Sequence, residues 1–157
     1  MIIHTQDDYY MQQALELAEI AFSKQEVPIG SVVVNAQSVI IGRGYNSTQA
    51  TYSQTGHAEV RAIEDAGQTT KDWRLDKCTL YVTLEPCLMC MSLIGLSRIE
   101  RIVYGAKSPL FGYHLDKESL PDLYKKQIKG VTSGVLAQES ELLLKRFFKT
   151  KRNRDRE

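Results

Sequence analysis

Two short runs hold the side chains best suited to chemistry: His57-Ala58-Glu59 and Pro86-Cys87-Leu88-Met89-Cys90. One imidazole and two thiols are three ligands of the kind zinc prefers. Three protein ligands leave the fourth tetrahedral position open to water, as in a catalytic site, whereas a structural site uses four. Glu59 follows His57 by two residues. It would be a poor fourth ligand and a good proton carrier. Zinc brings the pKa of a bound water to about 7, so a carboxylate bordering the same cavity has a proton to take at neutral pH.

Other readings of these residues exist. Cys87-x-x-Cys90 alone would suit a thioredoxin-like redox pair, but His57 and Glu59 would then have no purpose. A structural zinc site needs a fourth ligand, and no further Cys or His has suitable spacing. Cys78, just ahead of an apolar run, reads as core. His4 falls in a terminal stretch and His114 in a loop, where the bland reading of a solvated side chain stands beside a substrate contact for His114. Asn46 ends an apolar run, where asparagine is often a turn former.

Both groups must be held by regular structure. A helix is expected from His57 to Ala66, closed by Gly67, and a second from Cys87 to Leu96. Pro86 suits the position just ahead of a helix, where its missing N–H costs nothing. Free N–H groups and the helix dipole favour thiolates in the first turn. Strands are read at Ser31–Val34 (too apolar to be half exposed), Val39–Asn46 (antiparallel to the first), Thr79–Leu84, Arg101–Gly105 and, fifth, near Ile128–Val135. Helices cover 8–23 and 138–149, the span 47–56 reads as a loop, and 107–120 reads as a loop with room for one helical turn. This order describes a mixed sheet between layers of helices.

At 157 residues the chain is one domain, and 43% apolar with 25% charged residues excludes a disordered, collagen-like or coiled-coil chain. No apolar run approaches the ~18 residues that span a bilayer. Met1 to Asp8 lacks the charged and apolar regions of a signal peptide, so a cytoplasmic location is expected. The net charge is +1, but residues 145–157 hold seven basic side chains against two acidic ones. This basic end reads either as a solvated terminus or as a contact for RNA phosphates.

The His-x-Glu … Pro-Cys-x-x-Cys pattern is the known signature of zinc-dependent nucleobase deaminases. Beyond it, the chain resembles the bacterial tRNA-specific adenosine deaminases over nearly its full length. The resemblance is carried by Glu26–Gly30, Gly42–Asn46, Trp73–Leu75, Leu80–Cys87, Arg98–Ala106 and Phe147-Phe148. It implies a three-layer α/β/α cytidine-deaminase-like fold with a five-stranded mixed sheet. A single deaminase domain would occupy residues 1–150, with a basic tail at 151–157. One zinc per subunit would be held by His57, Cys87 and Cys90, with Glu59 catalytic. Asn46 and the backbone N–H of Ala58 would meet the purine. The implied substrate is the wobble adenosine of a tRNA anticodon stem-loop, converted to inosine by a cytoplasmic homodimer. Two alternatives stay open: a deaminase of free guanine or cytosine bases or nucleosides, and a non-catalytic RNA-binding subunit, a role that Glu59 argues against. The chain departs from the family at Ser53–Gly56, at Met91-Ser92-Leu93 and over Phe111–Ser119.

Overall fold

The computed structural model describes residues 5–157, so His4 lies outside the described residues. Helix α1 (Gln6–Ser23) begins at Thr5 in a capping box: the Thr5 hydroxyl accepts from the Asp8 N–H and the Asp8 carboxylate from the Thr5 N–H. The chain continues through β1 (Gly30–Val34), β2 (Ile40–Tyr45), the single turn α2 (Thr48–Thr51) and α3 (Ala58–Thr70). Then come β3 (Thr79–Leu84), α4 (Leu88–Leu96), β4 (Arg101–Ala106), α5 (Asp122–Gln127), β5 (Gly130–Thr132) and α6 (Ala137–Arg154).

The five strands form one sheet in the order β2-β1-β3-β4-β5. β1 runs antiparallel to both neighbours, and β3, β4 and β5 are mutually parallel. Every residue of β1 is buried, as its unbroken apolar run requires of an interior strand covered on both faces. Alternation along the strands divides the core in two. Val32, Val34, Tyr81 and Val103 pack under Tyr10, Met11 and Ala14 of α1, while Val33, Leu80, Val82 and Ile102 meet Ala62, Ile63, Met91 and Ile94 from α3 and α4. α6 lies on β4 beside α1. This is the expected α/β/α sandwich.

Local readings need correction. Gly67 does not close α3, which runs on to Thr70 and ends at Lys71 with φ 58°. One interior glycine costs only about 1 kcal/mol, too little to stop a helix whose face is already packed. The span 47–56 is not only loop. The buried Glu26 carboxylate accepts from the N–H groups of Gln49 and Ala50 and so holds α2. The fifth strand is three residues, not eight, and Ile128 packs into the core ahead of it. The 107–120 loop holds two 3₁₀ turns, Tyr113–Leu115 and Lys117–Ser119, where one helical turn is expected. α5 has no counterpart among the expected elements. It is admitted by Gly95 of α4, where a Cβ would stand 2.6 Å from the Cβ of Tyr124. α6 continues to Arg154, so Lys151, Arg152 and Arg154 extend along a helix. Among the described residues, no helix is long and apolar enough to cross a membrane.

Candidate active site

His57 and Cys87 are the N-caps of α3 and α4, the two helices on one face of the sheet. Cys90, three residues into α4, is fully buried. The Nδ1 atom of His57 lies 3.7 Å from Cys87 Sγ and 3.5 Å from Cys90 Sγ, and the ligand atoms of all three residues fall within 4.8 Å of one another. A tetrahedral zinc with its usual bonds to nitrogen and sulfur would separate those atoms by about 3.6 Å. The donor set therefore fits zinc by both chemistry and spacing.

The two thiols are unequal. The Cys90 thiol hydrogen-bonds Cys87 and, helped by His57, lowers the Cys87 pKa to about 4. The Cys87 interaction, burial and nearby Glu59 hold Cys90 protonated. His57 is raised, first by its hydrogen bond to Cys87. A bound dication would favour both thiolates together. Cys78 is different: burial first, then Asp76 and Glu100, push its thiol up to about 11, and it packs in the core.

Glu59 is 4% exposed. Burial raises its carboxyl above the usual range, opposed in part by the neighbouring Cys90 thiol. A carboxyl raised in this way, beside three possible metal donors, is suited to take up and return a proton.

The remaining expected residues also converge. The Ser47 N–H donates to the Gly56 carbonyl at 2.8 Å, closing the 47–56 span so that Asn46 and His57 flank its neck. Gly44 makes the same approach from the strand side, because a Cβ there would collide with the Ala58 carbonyl oxygen. Asn46 is 6% exposed at the end of β2, and its own N–H donates to Ile29. Ala58 is the first residue of α3, where an N–H has no partner within the helix.

Sequence reasoning missed the role of Glu85. Its side chain is 1% exposed. It accepts from the Ser108 N–H at 3.2 Å, the His114 N–H at 2.8 Å and His114 Nδ1 at 2.6 Å. Since the carboxylate can only accept, Nδ1 carries the proton. The Tyr113 N–H donates to the Pro86 carbonyl at 2.9 Å. The loop after β4 is thus fastened to the two residues ahead of Cys87. An acidic residue closing an apolar strand was a visible signal, but nothing in the sequence paired it with His114, 29 residues away. His114 is therefore a loop anchor. Phe147 is an anchor as well, edge-on to Phe22 at 5.8 Å, while its neighbour Phe148 is exposed.

Residues 4–106 match the family described as the cytidine and deoxycytidylate deaminase zinc-binding region. The tRNA-specific adenosine deaminase of Streptococcus pyogenes serotype M1 is 40% identical over 148 residues, covering 93% of this chain and 85% of the relative. The protein of that name from Haemophilus influenzae is 41% identical over 147 residues, with coverage of 93% and 85%. A solved structure from a study of A-to-I editing by tRNA:A34 deaminases at the wobble position superposes with a TM-score of 0.77 at 35% identity, covering 87% of this chain and 99% of that one. Likeness along almost the whole length, with three residues able to hold a metal ion inside the matched region, means that the chain belongs to the cytidine and deoxycytidylate deaminase family of zinc-dependent hydrolytic deaminases.

Proposed function

We propose that the protein hydrolyses the wobble adenosine of a tRNA anticodon to inosine, releasing ammonia. The observation that carries this reading is the buried Glu59 carboxyl against the His57, Cys87 and Cys90 cluster. The choice of tRNA is supported by the relatives named tRNA-specific adenosine deaminase, which match over 93% of the chain. It is supported too by the basic last turn of α6, with Lys151, Arg152 and Arg154, which a free base would not need.

His57, Cys87 and Cys90 would hold one zinc per subunit. Bound there, zinc supplies a water acidic enough to be nucleophilic at neutral pH. Glu59 takes one proton from the attacking water and delivers it to N1 of the purine, then takes the second from the hydroxyl now on C6 and passes it to the departing amine, ending as the carboxylate it began as. Asn46 and the Ala58 N–H hold the purine so that C6 faces the donor cluster. Burial of Glu59 keeps solvent from exchanging its proton between transfers. The target must leave its stack to reach this pocket, and an unpaired anticodon loop makes that cheap. The reading includes a cytoplasmic homodimer with a single catalytic domain over residues 1–150. Residues 151–157 would form a basic end lying along RNA phosphates.

A substrate panel tests it: tRNA, an anticodon stem-loop, adenosine, cytidine, guanine and cytosine, each assayed for released ammonia. Turnover confined to the RNAs supports the proposal. Turnover on a free base or nucleoside, with none on RNA, would assign the same chemistry to a small substrate. Sedimentation of the zinc-loaded protein reads the dimer.

A further inference from the structure

The loop that Glu85 fastens has an unusual crest. The Gly112 N–H donates to the Ser108 carbonyl at 3.2 Å, closing a turn over Pro109, Leu110 and Phe111. Its two ends are buried: Ser108 is covered, and Gly112 lies so close to the Glu85 carboxylate that a Cβ would collide with it. Leu110 is 76% and Phe111 75% exposed. Two large apolar side chains in water, on a loop this tightly held, have no account in the fold. The Tyr113 N–H bonds to the Pro86 carbonyl, and Cys87 follows Pro86, so Phe111 stands two residues from a contact at the rim of the metal cluster.

We propose that Phe111 is an RNA-binding residue whose ring stacks on the unpaired base next to the target nucleotide, with Leu110 against its edge. This rests on the reading of the substrate as a single-stranded RNA loop. When one base is drawn into a pocket, its neighbours lose a stacking partner. An aromatic face at the pocket rim replaces that partner, and stacking tolerates any base because each has a π-face. The hydrogen bonds at Ser108, Gly112, Tyr113 and His114 hold the loop before RNA arrives, so little ordering remains to be done on binding. Lys107, exposed on the approach to the crest, is placed for the adjoining phosphate.

The test uses zinc-loaded full-length protein and three anticodon stem-loops: intact, abasic immediately 5′ of the target and abasic immediately 3′ of it. Affinity and kcat/KM are measured for wild type, Phe111→Ala, Phe111→Leu and Phe111→Trp. On intact RNA, alanine and leucine should each lose roughly 5- to 150-fold in affinity, and tryptophan should keep it. One abasic RNA should lower the wild type to the level of Phe111→Ala while leaving Phe111→Ala almost unchanged. Equal affinity of wild type and Phe111→Ala on intact RNA overturns the proposal, as does a loss undiminished on both abasic RNAs. Dissociation of an oligomer in Phe111→Ala also overturns it, and assigns the crest to a second copy of the chain. Failure of the functional reading is separate: the wild type would then make no inosine from any RNA, whatever Phe111 does to binding.

Discussion

Replacing Glu85 by glutamine keeps the side chain's shape and removes half of its accepting capacity. In the native loop Oε1 takes the Ser108 N–H and His114 Nδ1–H, while Oε2 takes the His114 N–H. A glutamine oxygen in the Oε2 position still accepts from the His114 N–H. The amide nitrogen can then donate to His114 Nδ1 if the imidazole changes tautomer, but it faces the Ser108 N–H donor to donor. Turning the amide over moves the same conflict to the His114 N–H. Either way one buried donor is left without a partner, at about 1–3 kcal/mol. For a chain of this length, that lowers the unfolding midpoint by roughly 2–12 °C. Glu85→Ala leaves three donors and a void, so its loss should be larger. Calorimetry on zinc-loaded protein reads the midpoint, and metal analysis of the same samples checks that the triad is intact. Kinetics on an anticodon stem-loop should show KM rising much more than kcat falls, because the loop binds and does not react. A Glu85→Gln protein with full zinc and the wild-type midpoint would refute the reasoning.

Three further outcomes are expected. Cys87→Ala should lose its zinc and Cys78→Ser should keep it, as read by elemental analysis; zinc loss from a folded Cys78→Ser protein would defeat the ligand assignment. Lys151 and Arg154 line a groove with Lys24 between α2 and α6; the double variant Lys151→Ala, Arg154→Ala should flatten the slope of log affinity against log salt by about 1.4 at most, with kcat on bound tRNA unchanged. An unchanged slope would show that this end of α6 is only solvated. The Asp7 carboxyl is held below its ordinary 3.8, chiefly by two hydrogen bonds from Arg101 and further by Tyr81, against the opposing effect of burial. A lowered acid stabilises the fold above its unfolded pKa and loses that contribution as pH falls through its folded value. The midpoint gap between wild type and Asp7→Asn should therefore be constant from neutrality to about pH 5 and close below pH 4. A gap that persists to pH 2 would contradict it.

The parts of the molecule readable in advance are those where local sequence and tertiary demand agree. Val32 to Val34 could be placed as an interior strand because an apolar run has nowhere else to go. Cys87 could be placed at a helix start because Pro86 stands just ahead of it, and His57 because Val60, Ile63 and Ala66 recur along one face after it. Gly67 does not end α3, because the packing of that helix outweighs the glycine's backbone freedom. α5 escaped because it exists through a contact between Tyr124 and Gly95, distant in sequence. Within the site, the juxtaposition of His57, Cys87 and Cys90, a set that could hold a metal ion, was legible from residue type and spacing. The Glu85–His114 clasp was not, since a hydrogen bond across 29 residues leaves no periodic trace.

The central claim is that Glu59 moves protons beside a metal it does not bind. The most direct measurement compares wild type with Glu59→Ala, each assayed for zinc and then incubated with tRNA whose wobble nucleotide is read by mass spectrometry. The account predicts one zinc per chain in both proteins and inosine at the wobble position from the wild type. The variant should be slower by about 10⁴-fold or more, since one group serves several transfers and a single general acid–base group typically supplies 10²–10⁴. A variant that loses its zinc would make Glu59 a ligand, and one that keeps both zinc and wild-type turnover would leave the proton carrier to be found elsewhere.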